Sequence, residues 1–182
     1  MVRSMPSIIL SLCLLALSSS FAAAASPENT LYLDLKDGRV VIELRPDLAP
    51  KHVERVKKLV REGFYNGLTF HRVIEGFMAQ TGDPAGDGTG GSKYPDVPAE
   101  FTSTPFARGT VGAARAADPN SANSQFFICF QEAPHLNGQY TVWGQVVEGM
   151  QFVDRIKKGN RLDGTVLGPD KIVKMELASD AH

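Results

Sequence analysis

The sequence predicts a mainly β fold: a closed antiparallel barrel capped by two α-helices. Three observations carry this. Short apolar runs of strand length recur along the chain. Glycine and proline turn signals separate them. Only two segments show helical spacing. The chain has 182 residues, 43% hydrophobic and 21% charged, with 17 glycines and 11 prolines. That length suits a single domain rich in turns.

The amino-terminal stretch stands apart. Arg3 is its only charge before Ser26, an apolar run spans Ile8 to Leu17, and Ala22 to Ala25 closes it. A basic start, a short apolar centre and an Ala-x-Ala exit predict a signal peptide over residues 1–25, cut after Ala25. The rival reading is an uncleaved anchor, for which the apolar run is short. Cleavage would remove Arg3 from a chain of formal charge −1, leaving −2. Such a balance steers the protein to neither nucleic acid nor anionic lipid. The mature chain would keep Cys129 alone, so no internal disulfide is expected. Export without disulfides suits a bacterial periplasm, or secretion beyond it, and leaves a eukaryotic lumen open.

Residues 26–182 read as the folded domain. Leu31-Tyr32-Leu33-Asp34-Leu35 alternates, as do Val40, Ile42 and Leu44. Lys36-Asp37-Gly38-Arg39 joins them, and Asp-Gly between alternating runs signals a hairpin. Pro50 opens a helix whose apolar face is Val53, Val56, Leu59 and Val60, with Gly63 beyond its end. Further strands are expected at Thr69–Ile74, Phe77–Thr81, Thr110–Ala114, Phe126–Phe130 and Thr141–Val147. A second helix, Met150–Lys158, is closed by Gly159, and Ile172–Leu177 is the last strand.

Two segments are specific beyond this pattern. One runs Phe70-His71-Arg72-Val73-Ile74-Glu75-Gly76-Phe77-Met78-Ala79-Gln80-Thr81-Gly82-Asp83-Pro84. The other is Asn123-Ser124-Gln125-Phe126-Phe127-Ile128. Together they resemble the signature of the cyclophilin family, and the likeness extends over residues 29–178. Within that family the chain is most similar to short bacterial members, many of them exported. The resemblance implies a closed eight-stranded barrel and peptidyl-prolyl cis-trans isomerase activity without a cofactor or metal. It also implies a groove on the outside of the barrel for proline-containing polypeptides, and a monomer.

The chemistry asks for little. Amide resonance opposes rotation with a barrier of about 18–20 kcal/mol, and no bond breaks. The site needs an apolar seat for the proline ring and a donor that favours the twisted amide over the planar one. Arg72 carries the family's catalytic role onto this chain, since a guanidinium stays charged and offers a rigid fork of donors. Strand alternation would set Arg72 with Phe70 and oppose His71 with Val73. The resemblance assigns Phe77, Met78, Phe127 and Leu136 to the proline seat, and Gln80 and Gln125 to the substrate backbone. It runs the backbone of Ala114, Arg115 and Ala116 beside the substrate. Phe126 is left to the core.

Two positions depart from the best-known family pattern. His135 replaces a tryptophan that matters for cyclosporin, so weak cyclosporin binding is expected. Tyr140 replaces a histidine that flanks the pocket. Other features resolve into scaffold. Gly86-Asp87-Gly88-Thr89-Gly90-Gly91 fits a dinucleotide pattern, but Tyr94, Pro95 and Pro98 follow where a helix would be needed. It reads as a flexible loop beside the groove. His52, His71, His135 and His182 show no metal-ligand spacing, and His71 is expected to make a structural hydrogen bond. A proline-binding chaperone with incidental turnover is the main rival reading. A barrel enclosing a small apolar ligand is the second.

Overall fold

A computed structural model describes residues 26–182, so the expected leader, residues 1–25, lies outside the described residues. Among these residues eight antiparallel strands form one sheet. They are β1 (Thr30–Leu35), β2 (Gly38–Leu44), β3 (Arg72–Ile74), β4 (Met78–Thr81), β5 (Thr110–Ala113), β6 (Phe126–Cys129), β7 (Val142–Glu148) and β8 (Lys174–Leu177). Two helices accompany them, α1 (Pro50–Arg61) and α2 (Met150–Val153). The strand order is β3-β4-β6-β5-β7-β2-β1-β8.

The sheet curls into a half-barrel, and strand pairing does not close it as the sequence led us to expect. Its edges, β3 and β8, do not pair with each other. The chain just before β8 reaches the β3 side only through two isolated bridges, Thr69 with Lys171 and Arg72 with Thr165. A three-residue β3 offers too little ladder for more.

Period-two alternation builds the interior. Leu31, Leu33 and Leu35 of β1 and Val40, Ile42 and Leu44 of β2 point inward, under Val53, Val56, Leu59 and Val60 of α1. Trp143 meets Phe126 edge-on at 5.4 Å, and Phe126 meets Tyr65 at 5.5 Å. Each such side chain contributes about 1.5–3 kcal/mol of burial. A second apolar cluster lies on the opposite face of the sheet. It comprises Met78, Phe106, Phe127, Cys129, Leu136 and Val142. Strand β6 feeds both, with Phe126 and Ile128 inside and Phe127 and Cys129 outside.

Several boundaries move, each for a local reason. The β1–β2 turn is Lys36-Asp37, with Gly38 already paired to Leu35. Gly38 has φ +149, and a Cβ there would lie 2.5 Å from the Phe152 ring, so packing as well as the turn demands glycine. Helix α2 stops at Val153 rather than Lys158. The Lys158 amine donates to the Asp154 and Ile156 carbonyls at 2.6 and 2.9 Å, and Gly159 N–H is drawn to Val73 C=O. Strand β3 begins at Arg72 because Phe70 N–H donates to Asp170 C=O, outside any ladder. Phe70 therefore enters the core with Val73, and Arg72 shares its face with Ile74 instead.

Helix α1 starts at Pro50, as its pattern predicts, yet Ala49 has no side chain to cap it. Glu100 does so from the long β4–β5 connection. Its carboxylate accepts from the backbone N–H groups of Lys51 and His52 at 3.1 and 3.0 Å. It also lies 2.7 Å from His52 Nδ1. Burial pushes the His52 pKa down despite the carboxylate. The ring is then neutral, donating from Nδ1, with Nε2 buried and unpartnered. Burial opposes the Glu100 charge, but His52 and the two N–H groups outweigh it and hold the carboxyl below its usual range.

Both depressed pKa values make acid destabilising, since the unfolded chain takes up protons more readily. Urea titrations are expected to show stability falling as pH drops below about 6.5, through His52, and further below about 4.5, through Glu100. Glu100→Ala is expected to cost about 1–3 kcal/mol at pH 7 and to flatten the acid limb.

Candidate active site

Strand register assembles the site as one row. Arg72 pairs with Gln80, Gln80 with Phe127, and Phe127 with Gly112, across β3, β4, β6 and β5. The row sets a cation, an amide and an aromatic ring side by side on the outer face. Gly112 makes room for the ring, because a Cβ there would lie 2.6 Å from both Phe127 and Phe106.

The Arg72 guanidinium is held from two sides. Nε donates to the Asp163 carbonyl at 2.9 Å, and Nη1 donates to Gln80 Oε1 at 3.1 Å. Gln80 Nε2 donates to Gln125 Oε1 at 2.9 Å. Gln125 Nε2 donates to the Gly88 and Gly90 carbonyls at 3.0 and 2.8 Å. The two glutamines, expected to meet substrate, thus also link the arginine to the glycine-rich loop. Nη2 of Arg72 makes no hydrogen bond among the described residues.

Beside this guanidinium opens a cavity of about 270 Å³. Its floor is Met78, Phe127 and Leu136, and its walls are Phe77, His135 and Tyr140. Arg72, Gln80, Ala114 and Arg115 complete the lining. Phe77 lies 5.2 Å from the His135 ring, and Tyr140 stands edge-on to Phe127 at 5.9 Å. Arg115 is committed elsewhere. It sits 4.4 Å over Tyr140 and donates to the Gln139 and Ala116 carbonyls. The short turn Pro134–Leu136 delivers His135 and Leu136.

A second hollow, of about 410 Å³, continues the groove past Gln80, Ala114 and Arg115. Ala116 and Gln125 line this one and not the first. Gly88 to Ser92, Asp96, Ser121 and Asn123 join them there. The N–H groups of Ala114 and Ala116 are engaged by Gln125 C=O and Ser121 Oγ. The glycine-rich loop is tied down by the Asp83 carboxylate. It accepts from Ala85, Asp87 and Gly88 N–H at 2.8, 3.0 and 2.6 Å. No helix follows it, so the dinucleotide pattern is fortuitous.

His71 differs from expectation. It is buried, and neither ring nitrogen finds a hydrogen-bond partner among the described residues. The oxygens of neighbouring Asp83 are taken by the loop. Burial pushes its pKa down, so it stays neutral. Cys129 is buried and free, its thiol pushed up to about 12 by burial, which makes it a poor nucleophile. Sequence reasoning missed Asp163, Phe106, Asp96 and Ser121. None of these carries a local signal, because each acts through a position reached only in the fold.

These features define a curled antiparallel scaffold with an external apolar pocket beside a pinned guanidinium. Residues 30–177 match the family model described as cyclophilin type peptidyl-prolyl cis-trans isomerase/CLD. The chain is 63% identical over 171 residues to a "Probable peptidyl-prolyl cis-trans isomerase" of Brucella suis, covering 87% of each chain. It is 43% identical over 135 residues to "Peptidyl-prolyl cis-trans isomerase B" of Bacillus subtilis, covering 72% of this chain and 93% of that one. The crystal structure of the Hirschia baltica cyclophilin AquaCyp293 superimposes with TM-score 0.78 at 29% identity, covering 87% of this chain and 77% of that one. A Cryptosporidium parvum cyclophilin type isomerase, solved in the presence of the dipeptide Ala-Pro, gives TM-score 0.74 at 26% identity, covering 81% and 98%. The chain belongs to the cyclophilin-type peptidyl-prolyl cis-trans isomerase family.

Because Gly112 is the space into which Phe127 packs, Gly112→Ala is expected to displace that ring. An isomerase assay should show kcat/KM lowered by roughly tenfold, with a stability loss of about 1–3 kcal/mol.

Proposed function

We propose that this isomerase acts on Xaa-Pro bonds of exported polypeptides and that Arg72 is its catalytic residue. The observation that carries the reading is a guanidinium fixed at Nε and Nη1, with Nη2 unengaged, at the rim of an apolar cavity. A prolyl ring would rest on Phe127, Met78 and Leu136 between Phe77 and Tyr140. Uncatalysed exchange takes tens to hundreds of seconds or so. As the C–N bond turns, the amide nitrogen leaves conjugation and regains a lone pair. A donor held in advance at that nitrogen stabilises the twisted state more than either planar one. The apolar seat also removes water, which otherwise supports the resonance form. No proton or bond is transferred, so the site has no use for an activated nucleophile.

The second hollow would take residues before the proline, and the client would be an unfolded chain rather than a folded partner. A leader cut after Ala25 and a monomer acting in the periplasm or outside the cell complete the proposal. The rival, a proline-binding chaperone, would need the pocket but not the pinned cation. His135 presents less apolar area to a macrocycle than an indole would, so cyclosporin should bind weakly.

In an NMR exchange or protease-coupled assay on an Ala-Pro peptide, Arg72→Ala is expected to lose about 10²–10³ in kcat/KM. Wild type without acceleration would leave only the chaperone reading. A variant as fast as wild type would remove Arg72 from the mechanism. In a separate titration, cyclosporin inhibition in the nanomolar range would contradict the role given to His135.

A further inference from the structure

We propose that Asn160 is a positioning residue for Arg72, acting by shaping the turn whose Asp163 carbonyl holds the guanidinium Nε. The inference rests on the reading of Arg72 as the catalytic donor. Of the two anchors of that guanidinium, Gln80 is a cross-strand neighbour fixed by the sheet. The other, Asp163 C=O, comes from a loop 91 residues away in sequence.

That loop has little apolar packing at its tip, where Leu162 is 98% exposed. Polar contacts therefore set its shape, and they converge on Asn160. Asn160 Oδ1 accepts from the N–H groups of Leu162 and Asp163 at 2.8 and 3.1 Å. Its Nδ2 donates to Asp163 Oδ1 at 2.8 Å, and that carboxylate accepts Thr165 N–H at 2.9 Å. Asn160 N–H and C=O bond to Thr165 C=O and Gly164 N–H. The Asp163 peptide is thus held by a side chain that touches neither pocket nor substrate.

Glycines then seat the turn against β3. Gly164 C=O accepts Val73 N–H at 2.8 Å, and Gly159 N–H donates to Val73 C=O at 2.8 Å. Gly164 has φ +84, and a Cβ there would lie 2.5 Å from Ile74 and 3.3 Å from Arg72 Cγ. A Cβ on Gly159 would collide with the Gly164 carbonyl. The turn therefore lies flat along the arginine's aliphatic stem. Loss of the Asn160 bonds frees the Asp163 carbonyl to rotate, and the guanidinium loses one of its two anchors.

The test measures isomerase kinetics and Ala-Pro peptide affinity for the full chain, with Asn160→Ala, Arg72→Ala and the double variant. Asn160→Ala is expected to lose about 10- to 100-fold in kcat with peptide affinity within about twofold of wild type. In the Arg72→Ala background it should cost nothing further, because its effect runs through that arginine. The exchanged pair, Asn160→Asp with Asp163→Asn, reverses one donor and acceptor and rebuilds the same bonds, so it should recover most of the rate. Asn160→Asp alone opposes two carboxylates and should stay slow. Wild-type kcat in Asn160→Ala, an equal loss in the Arg72→Ala background, or no recovery by the exchanged pair would each overturn the proposal. An Arg72→Ala enzyme at wild-type rate would instead remove the reading on which it stands.

Discussion

The structure depends on holding one guanidinium in one place. A free arginine side chain explores many rotamers, and ordering it costs on the order of 2 kcal/mol. Here the cost is met before substrate arrives, by a carbonyl at Nε and an amide oxygen at Nη1. A donor that need not reorganise during the reaction is worth more than one recruited at the moment of need. The rest of the site can be understood as support for that geometry.

The sheet supplies the support by serving two apolar faces at once. In β4 and β6 nearly every residue is buried, so neither strand shows an apolar–polar alternation. The pleat still sorts them. Ala79, Phe126 and Ile128 close the core, while Met78, Phe127 and Cys129 build the pocket floor. Rigidity of the core is thereby transmitted to the seat for the ring. The same pleat places Gln80 between Arg72 and Phe127, where its amide faces the arginine on one side and Gln125 on the other. The polar and apolar halves of the groove are therefore set by a single register, and a slip of one residue would exchange them.

Much of this was legible in the sequence because the information was local. Alternation at Leu31–Leu35 and Val40–Leu44, and the helical spacing after Pro50, depend only on near neighbours. The motif around Arg72 placed the pocket residues by resemblance, and ten of the twelve named residues line one cavity. What escaped was long-range. Glu100 caps α1 from 48 residues away. Lys158 captures carbonyls that a longer α2 would have used internally. Phe70 breaks the alternation because its N–H finds Asp170 rather than a strand. Asp163 contributes a backbone carbonyl, which any residue could supply, so its identity carried no signal. The unpaired β3 and β8 edges were hidden for the same reason, since pairing between distant segments leaves no mark on either alone.

The central claim is that Arg72 stands ready at the prolyl nitrogen. A crystal structure with an Ala-Pro-containing peptide bound tests it most directly. It should show the ring on Phe127 and a guanidinium nitrogen within a hydrogen bond's reach of the prolyl nitrogen, roughly 3 Å. Nε should remain on the Asp163 carbonyl. A bound peptide whose prolyl nitrogen lies beyond that reach, with the guanidinium turned from the cavity, would contradict the account.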